Sequence, residues 1–385
     1  MSLTNILCFA MMNDSYKISI CTVCMNRLYH LKETLLRNIE DNRDYANLEH
    51  VVLDYNSRDD MEAWAKAHLG EYIQSGRVKY YRTTEPESFN MAHSKNMVAR
   101  LAEGEIICLT DADNFTGRNY AAYVDATFQE RKDVFMTAIG ARKTTNPTDV
   151  LGRVCCRKAD LLAVKGFDES MRSYGFDDHD FANRLALLGR QRIVITDKRY
   201  LCAIPHSLGE RIHHYSTKAS LKEVYIHQLD PARTALLFLF APDSYHFGII
   251  RDNAAAAALR AANAANAAHA AIHGRPRKSA GYSDVNHRYE QSLTTPDWKQ
   301  GTWKQTPSGL TLSPDPGSSI DPFRKITNDQ MITEVLLLHS ILRNRNRMVH
   351  NKRRKQAVIG QSAWGCGNVY RNFDYSTAIH LPPDA

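Results

Sequence analysis

Residues 105–113 read Glu105-Ile106-Ile107-Cys108-Leu109-Thr110-Asp111-Ala112-Asp113, an apolar run that ends in two carboxylates. Side chains alternate along a strand, so carboxylates two residues apart point the same way. Two carboxylates on one side at a strand's end offer hard oxygen donors suited to Mn²⁺ or Mg²⁺. Such an ion can neutralise a diphosphate leaving group. Acidic pairs are also common in solvated turns, so the run needs its surroundings before it means anything.

Those surroundings alternate strand and helix. Residues 17–24 alternate as a strand, and Leu31, Leu35, Leu36 and Ile39 recur at helical spacing over 29–40. Residues 49–54 and 78–82 read as strands, 61–73 and 92–102 as helices, with Gly104 as a stop before the 105–110 strand. This order predicts an α/β protein with a mixed, mostly parallel sheet flanked by helices. Ligands of such sheets sit outside the carboxyl ends of the strands, where Asp54 and Asp111 both fall. Further strands are expected over 134–139, 151–156, 193–195 and 200–204. Phe181, Leu185 and Leu188 mark a helix closed by Gly189.

The character changes near residue 245, so a catalytic domain over 1–245 and a mainly helical extension over 246–385 are expected. In the extension, residues 254–273 form an alanine-rich helical pattern stopped by Gly274 and Pro276. His269 and His273 within it are four apart but have no evident third metal ligand. Residues 275–325 are rich in Pro, Gly, Ser and Thr and read as an irregular lid or linker. Residues 328–343 are again helical and run into a basic segment.

The chain has 385 residues, 43% of them hydrophobic, enough for a sizeable core. The formal charge of +7 is local: residues 343–355 hold seven Lys and Arg and no acid. The remaining 42 basic residues balance the 42 acidic ones. Eight cysteines in this length do not make a disulfide scaffold, and Cys21-x-x-Cys24 has no second pair at zinc spacing. No apolar stretch approaches the ~20 residues that span a bilayer. The run Asn5 to Met12 lacks the basic flank and length of a signal peptide, so a cytoplasmic location is expected.

Four blocks together resemble the nucleotide-sugar glycosyltransferases of the GT-A fold. They are most similar to the β-1,4-galactosyltransferase family, with the broader family 2 glycosyltransferases behind it. The blocks are Asn26-Arg27 with His30-Leu31-Lys32; Phe89-Asn90-Met91-Ala92 with Lys95-Asn96; Asp111-Ala112-Asp113; and Gly166-Phe167 with Tyr174-Gly175-Phe176-Asp177-Asp178-His179-Asp180 and Asn183-Arg184-Leu185. They span residues 17 to about 215 and none lies beyond 245.

The resemblance implies a metal-dependent enzyme that moves a sugar from a UDP-sugar to a hydroxyl of a glycan, lipid-linked sugar or glycoside, with inversion. It makes Asp178 the base, with Asp177 orienting the acceptor and Tyr174, Gly175 and Phe176 lining its site. The helix N-terminus favours the ionised form of Asp178, so crowding by Asp177 is needed to raise its basicity. Asp113 is expected as a direct ligand of Mn²⁺ or Mg²⁺, and Asp111 near the ribose or bound through water. His206 matches a distal histidine ligand; Ala203 stands where the galactosyltransferases carry a methionine, leaving His213, His214 or water to complete the set. Arg27 is expected at the uracil–ribose or diphosphate end of the donor, Lys95 on a phosphate, Asp54 on a uracil N–H and Phe89 against the base. Two alternatives stand beside this: a retaining transferase of the same fold, and a nucleic-acid or anionic-surface binder using the basic segment. No nucleic-acid motif accompanies that segment; contact with an anionic membrane is its other use.

Overall fold

The computed structural model describes residues 15–140, 150–205, 208–213, 215–230, 233–252, 293–294, 298–313, 323–361 and 363–383. The alanine-rich stretch 254–273, His206 and His214 lie outside the described residues.

A nine-stranded mixed sheet organises the molecule. Its centre is β1 (Ile18–Cys24), β2 (Leu48–Tyr55), β3 (Val78–Thr83) and β4 (Ile106–Leu109), running parallel in the order β3-β2-β1-β4. β6 (Val134–Thr137), β7 (Val154–Arg157) and β8 (Gln191–Val194) continue it beyond β4, where β7 is antiparallel to both β4 and β6. Alternation explains the burial on both faces. Ile107 and Leu109 enter one core with Val51, Leu53 and Phe167, whereas Ile106 and Cys108 enter another with Ile18, Ile20 and Tyr120.

Helices connect the strands and cover these faces. α1 (Leu28–Asp41) buries Leu31, Leu35 and Ile39, one turn apart. The helix expected over 61–73 is two pieces, α2 (Met61–His68) and α3 (Gly70–Gln74), meeting where Gly70 weakens helical continuity. α4 (Met91–Leu101) starts at Asn90, whose side chain accepts from the His93 backbone N–H at 3.2 Å. β5 (Asn114–Phe115), which pairs antiparallel with β9 (Cys202–Ala203), and the helices α5 (Tyr120–Glu130), α6 (Lys158–Ala163) and α7 (Asp177–Leu187) complete this part.

The expected boundary at residue 245 falls inside a strand. β10 (Leu221–Asp230), β11 (Arg233–Phe240) and β12 (Ser244–Asp252) form an antiparallel meander. β14 (Lys299–Thr306), β15 (Gly309–Ser313) and the two-residue strands β13 (Leu293–Thr294) and β16 (Arg324–Lys325) extend it into a second sheet. The described part of 275–325 is therefore largely strand, not an irregular linker. Tyr245 and Trp303 alternate with polar neighbours, and the short strands hide behind a composition rich in turn formers.

One long helix, α10 (Asp329–Arg353), carries the basic segment and packs Leu336, Leu337 and Ile341 against Val224, Leu236 and Phe238 of the second sheet. β17 (Gly367–Arg371) and β18 (Asp374–Leu381) then return to the first sheet, β17 pairing antiparallel with β3. The C-terminal residues thus complete the main sheet, and Trp364 is fully buried beside α4. Among the described residues, no helix is long and apolar enough to cross a membrane.

Trp364→Ala removes a large buried side chain between α4 and the returning strands. It is expected to lower unfolding free energy by about 3–5 kcal/mol, read by urea denaturation.

Candidate active site

The carboxyl ends of β1 and β4 open into one cleft. Thr110 still bonds to β1, its N–H reaching the Cys21 carbonyl at 2.9 Å. The chain then leaves the sheet, so Asp111-Ala112-Asp113 is a turn and not strand. The two carboxylates nonetheless face the same cleft, because Ala112 is pulled the other way. Its side chain is buried with α1, and its carbonyl accepts from the Thr34 hydroxyl at 2.6 Å. Gly152 lines the cleft beside Asp111. A Cβ at 152 would stand 2.8 Å from the Asp111 Cγ and closer still to a carboxylate oxygen. Only a glycine lets the backbone approach so closely.

Lys95 crosses the cleft from α4. Its Nζ lies 2.6 Å from Asp178 Oδ1, 3.4 Å from Asp177 Oδ2 and 3.9 Å from Asp111 Oδ1. The ammonium is almost wholly buried. Burial alone would lower its pKa, but Asp178, Asp177 and Asp111 outweigh it and hold the net shift upward. Asp178 is raised well above the ordinary carboxylate range, first by burial and then by the Asp177 charge, with Lys95 opposing. The N-terminal position on α7 was expected to keep Asp178 acidic; desolvation and crowding win. Arg27 sits on the other side of the turn. Its guanidinium lies 3.9 Å from Asp113 Oδ2 and donates to the Glu210 carbonyl. Asn114 donates to the other Asp113 oxygen at 2.7 Å.

Tyr174, Gly175 and Phe176 form the opposite wall, just before α7. Gly175 and Phe176 both have positive φ, +98° and +65°. This sharp turn starts α7, so Asp177 and Asp178 open the helix toward Lys95. The Tyr174 hydroxyl accepts from Arg211 at 2.7 Å. Phe89 also lines the cleft, edge-on to Tyr215.

Asp54 is not in the cleft. It is fully buried, with Oδ1 accepting from the Ser57 N–H and Oδ2 from the Tyr80 hydroxyl, both at 2.7 Å. Its oxygens are committed to shaping the β2 exit, so it does not offer them to a base. His213 is exposed and does not line the cleft. Sequence reasoning missed Glu210, Arg211 and Tyr215, in or beside α8 (Leu208–Ile212) and before α9 (Ser216–Ser220), and Ile341 of α10. The Arg211–Tyr174 bond joins residues 37 apart, for which the sequence holds no periodic signal.

An open α/β sheet with a charged cleft at its strand ends is an architecture of GT-A type, whose ligands sit outside the carboxyl ends of the strands. Residues 19–190, which carry these cleft carboxylates, match the family model Glycosyl transferase family 2. Among solved structures, the chain is similar to the mannosyltransferase PcManGT from Pyrobaculum calidifontis in complex with GDP-Man and Mn²⁺. That similarity has 22% identity and a TM-score of 0.40 over 48% of this chain and 56% of that one. It is also similar to S. aureus TarS 1–349 in complex with UDP-GlcNAc, with 20% identity and a TM-score of 0.41 over 50% of this chain and 59% of that one. The chain thus spans little more than half the length of these structures. No curated protein matches the chain in sequence.

Gly152→Ala is expected to displace the Asp111 carboxylate while the protein stays folded. The overcrowded contact should lower unfolding free energy by about 1–3 kcal/mol, read by urea denaturation.

Proposed function

We propose that the protein transfers a sugar from a UDP-sugar to a hydroxyl of a carbohydrate or lipid-linked acceptor, with inversion at the anomeric carbon. The observation that carries this reading is the meeting of Asp111, Asp177 and Asp178 around Lys95 in one cleft. The acceptor oxygen forms a bond to the anomeric carbon as the bond to the diphosphate oxygen breaks on the opposite face. The acceptor proton passes to Asp178, and the electron pair of the broken bond leaves on the diphosphate. A carboxylate with a raised pKa is a stronger base near neutral pH, which suits that role. Asp177 orients the acceptor hydroxyl, and Tyr174 and Phe176 present flat faces to its ring. Arg27 and Lys95 supply positive charge to the phosphates.

Lys95 balances only one of its three carboxylates, leaving a local negative excess that a divalent cation would offset. Among the described residues no three His, Cys, Asp or Glu side chains are grouped to hold a metal. Asp111 and Asp113 fit instead the Mn²⁺ or Mg²⁺ arrangement in which one or two carboxylates are supplemented by substrate phosphates and water. His206 is our further candidate ligand. The bound ion's chemistry would be charge neutralisation on the diphosphate. The uridine base, the inverting course and a closer kinship to the β-1,4-galactosyltransferases rest on the motif resemblance. The exposed run Lys352, Arg353, Arg354 and Lys355 offers charge for peripheral contact with an anionic membrane.

A screen of sugar nucleotides with mono- and oligosaccharide acceptors tests the reading. One UDP-sugar should be turned over, with activity lost on chelation and restored by Mn²⁺ or Mg²⁺. Asp178→Asn should lower kcat by about 10²–10⁴-fold at unchanged donor affinity. Product of retained anomeric configuration by NMR would replace the inverting course with a retaining one.

A further inference from the structure

We propose that Asn344 and Ser340 of α10 are positioning residues that set the acceptor wall of the cleft. This rests on the transferase reading given above, but its evidence is separate. Three successive carbonyls before α7 turn away from the cleft toward α10. The Asn344 amide donates to the carbonyls of Ser173 and Gly175, both at 2.8 Å. The Ser340 hydroxyl donates to the Tyr174 carbonyl at 3.0 Å. Both side chains are nearly fully buried. They stand four residues apart, on one face of the helix.

The geometry has a direct consequence for the loop. With its carbonyls fixed on one side, the 173–176 backbone directs the side chains of Tyr174 and Phe176 to the cleft. The loop also holds two successive left-handed residues, and Phe176 has no glycine's freedom there. Such a conformation persists only when surrounding contacts over-determine it. Asn344 supplies two of those contacts from a single amide, bracketing Tyr174. Ile341, between the two polar residues, closes the gap: a Cβ at Gly175 would stand 3.2 Å from its Cγ1. The Arg211 bond to the Tyr174 hydroxyl then anchors the far end of that ring. None of these α10 residues lies in the segment 19–190 that matches the family model. The carboxylates come from the matched segment, and the conformation of the acceptor wall is imposed from outside it.

Asn344→Leu keeps the side-chain size but removes both donors. Ser340→Ala removes one bond, and Ser340→Thr keeps the hydroxyl. Acceptor KM should rise about tenfold or more in Asn344→Leu and less in Ser340→Ala, with donor KM within about twofold. Ser340→Thr should resemble the wild type. Amide hydrogen exchange over 173–178 should accelerate in Asn344→Leu relative to the rest of α7. Equal losses toward donor and acceptor, or an unchanged acceptor KM in folded Ser340→Ala, would overturn the proposal. If Asn344→Leu does not fold, the Ser340 pair decides. A wild type that turns over no sugar nucleotide ends the transferase reading alone. Loop exchange in the variants then still judges the positioning claim, which falls if the exchange is unchanged.

Discussion

One ammonium group, the Nζ of Lys95, sits among three carboxylates contributed by two separate stretches of chain. Brought together without it, Asp111, Asp177 and Asp178 would repel across a poorly hydrated space, and at least one would take up a proton. The position of Lys95 is therefore a structural requirement as well as a chemical one. α4 supplies it, and α4 is tied down at its neighbour. Asn96 donates to the Phe167 carbonyl at 3.0 Å and to Glu169 at 2.7 Å. Arg100, a turn further on, donates to the Trp364 carbonyl at 2.8 Å. The helix that carries the cation is thus fixed both to the loop leading toward Asp177 and to the C-terminal return.

The basic segment takes on a different meaning in that frame. Arg347 donates to Asp168 at 2.8 Å, and Asn351 reaches Asp168 at 3.1 Å and Asp180 at 3.0 Å. Asp180 in turn pairs with Arg184 inside α7 at 2.7 Å. Residues 340, 344, 347 and 351 lie on one stripe of α10, and all four hold the stretch 168–180. Asp168 and Asp180 are buried, so removing a partner would leave a buried charge stranded. Part of the segment's positive charge is therefore paired within the fold. Arg347 keeps part of its side chain exposed, and the run Lys352 to Lys355 beyond it is an exposed basic surface.

The central α/β order was legible in the sequence because each strand is a short apolar run followed by a clean helical period. Leu31, Leu35 and Ile39 point inward as their spacing demands. The cleft carboxylates were legible for a partly different reason than strand alternation. Asp111 and Asp113 share a face because a turn, an inward Ala112 and a closely placed Gly152 put them there. Asp54 misled because a carboxylate at a strand's carboxyl end has the same sequence signature whether it faces solvent or caps its own turn through Ser57. The second sheet and the closing strands were illegible: Gly367–Arg371 and Asp374–Leu381 are short, polar and largely exposed, and only the pairing of β17 with β3 and of β18 with β17 makes them strands. Asn344 illustrates the remaining gap. An asparagine amid arginines in a helix carries no mark of the two carbonyls it meets, 171 and 169 residues earlier.

These observations divide the cleft by origin. The charged floor comes from β1, β4, α4 and the start of α7, elements whose register is locked by a continuous parallel core. The walls that would meet an acceptor come from the turn before α7, from residues 210–215 and from Ile341. A locked sheet tolerates little change in its core, since even small volume changes are felt in close packing. A helix that grips a turn through a few hydrogen bonds has more latitude. A change at Ser340 or Asn344 of α10 acts first on the turn 173–176, and only through it on Asp177 and Asp178, while Asp111 stands on the sheet side. The charged floor and the aromatic wall are thereby built by different parts of one chain, joined at the two left-handed residues Gly175 and Phe176.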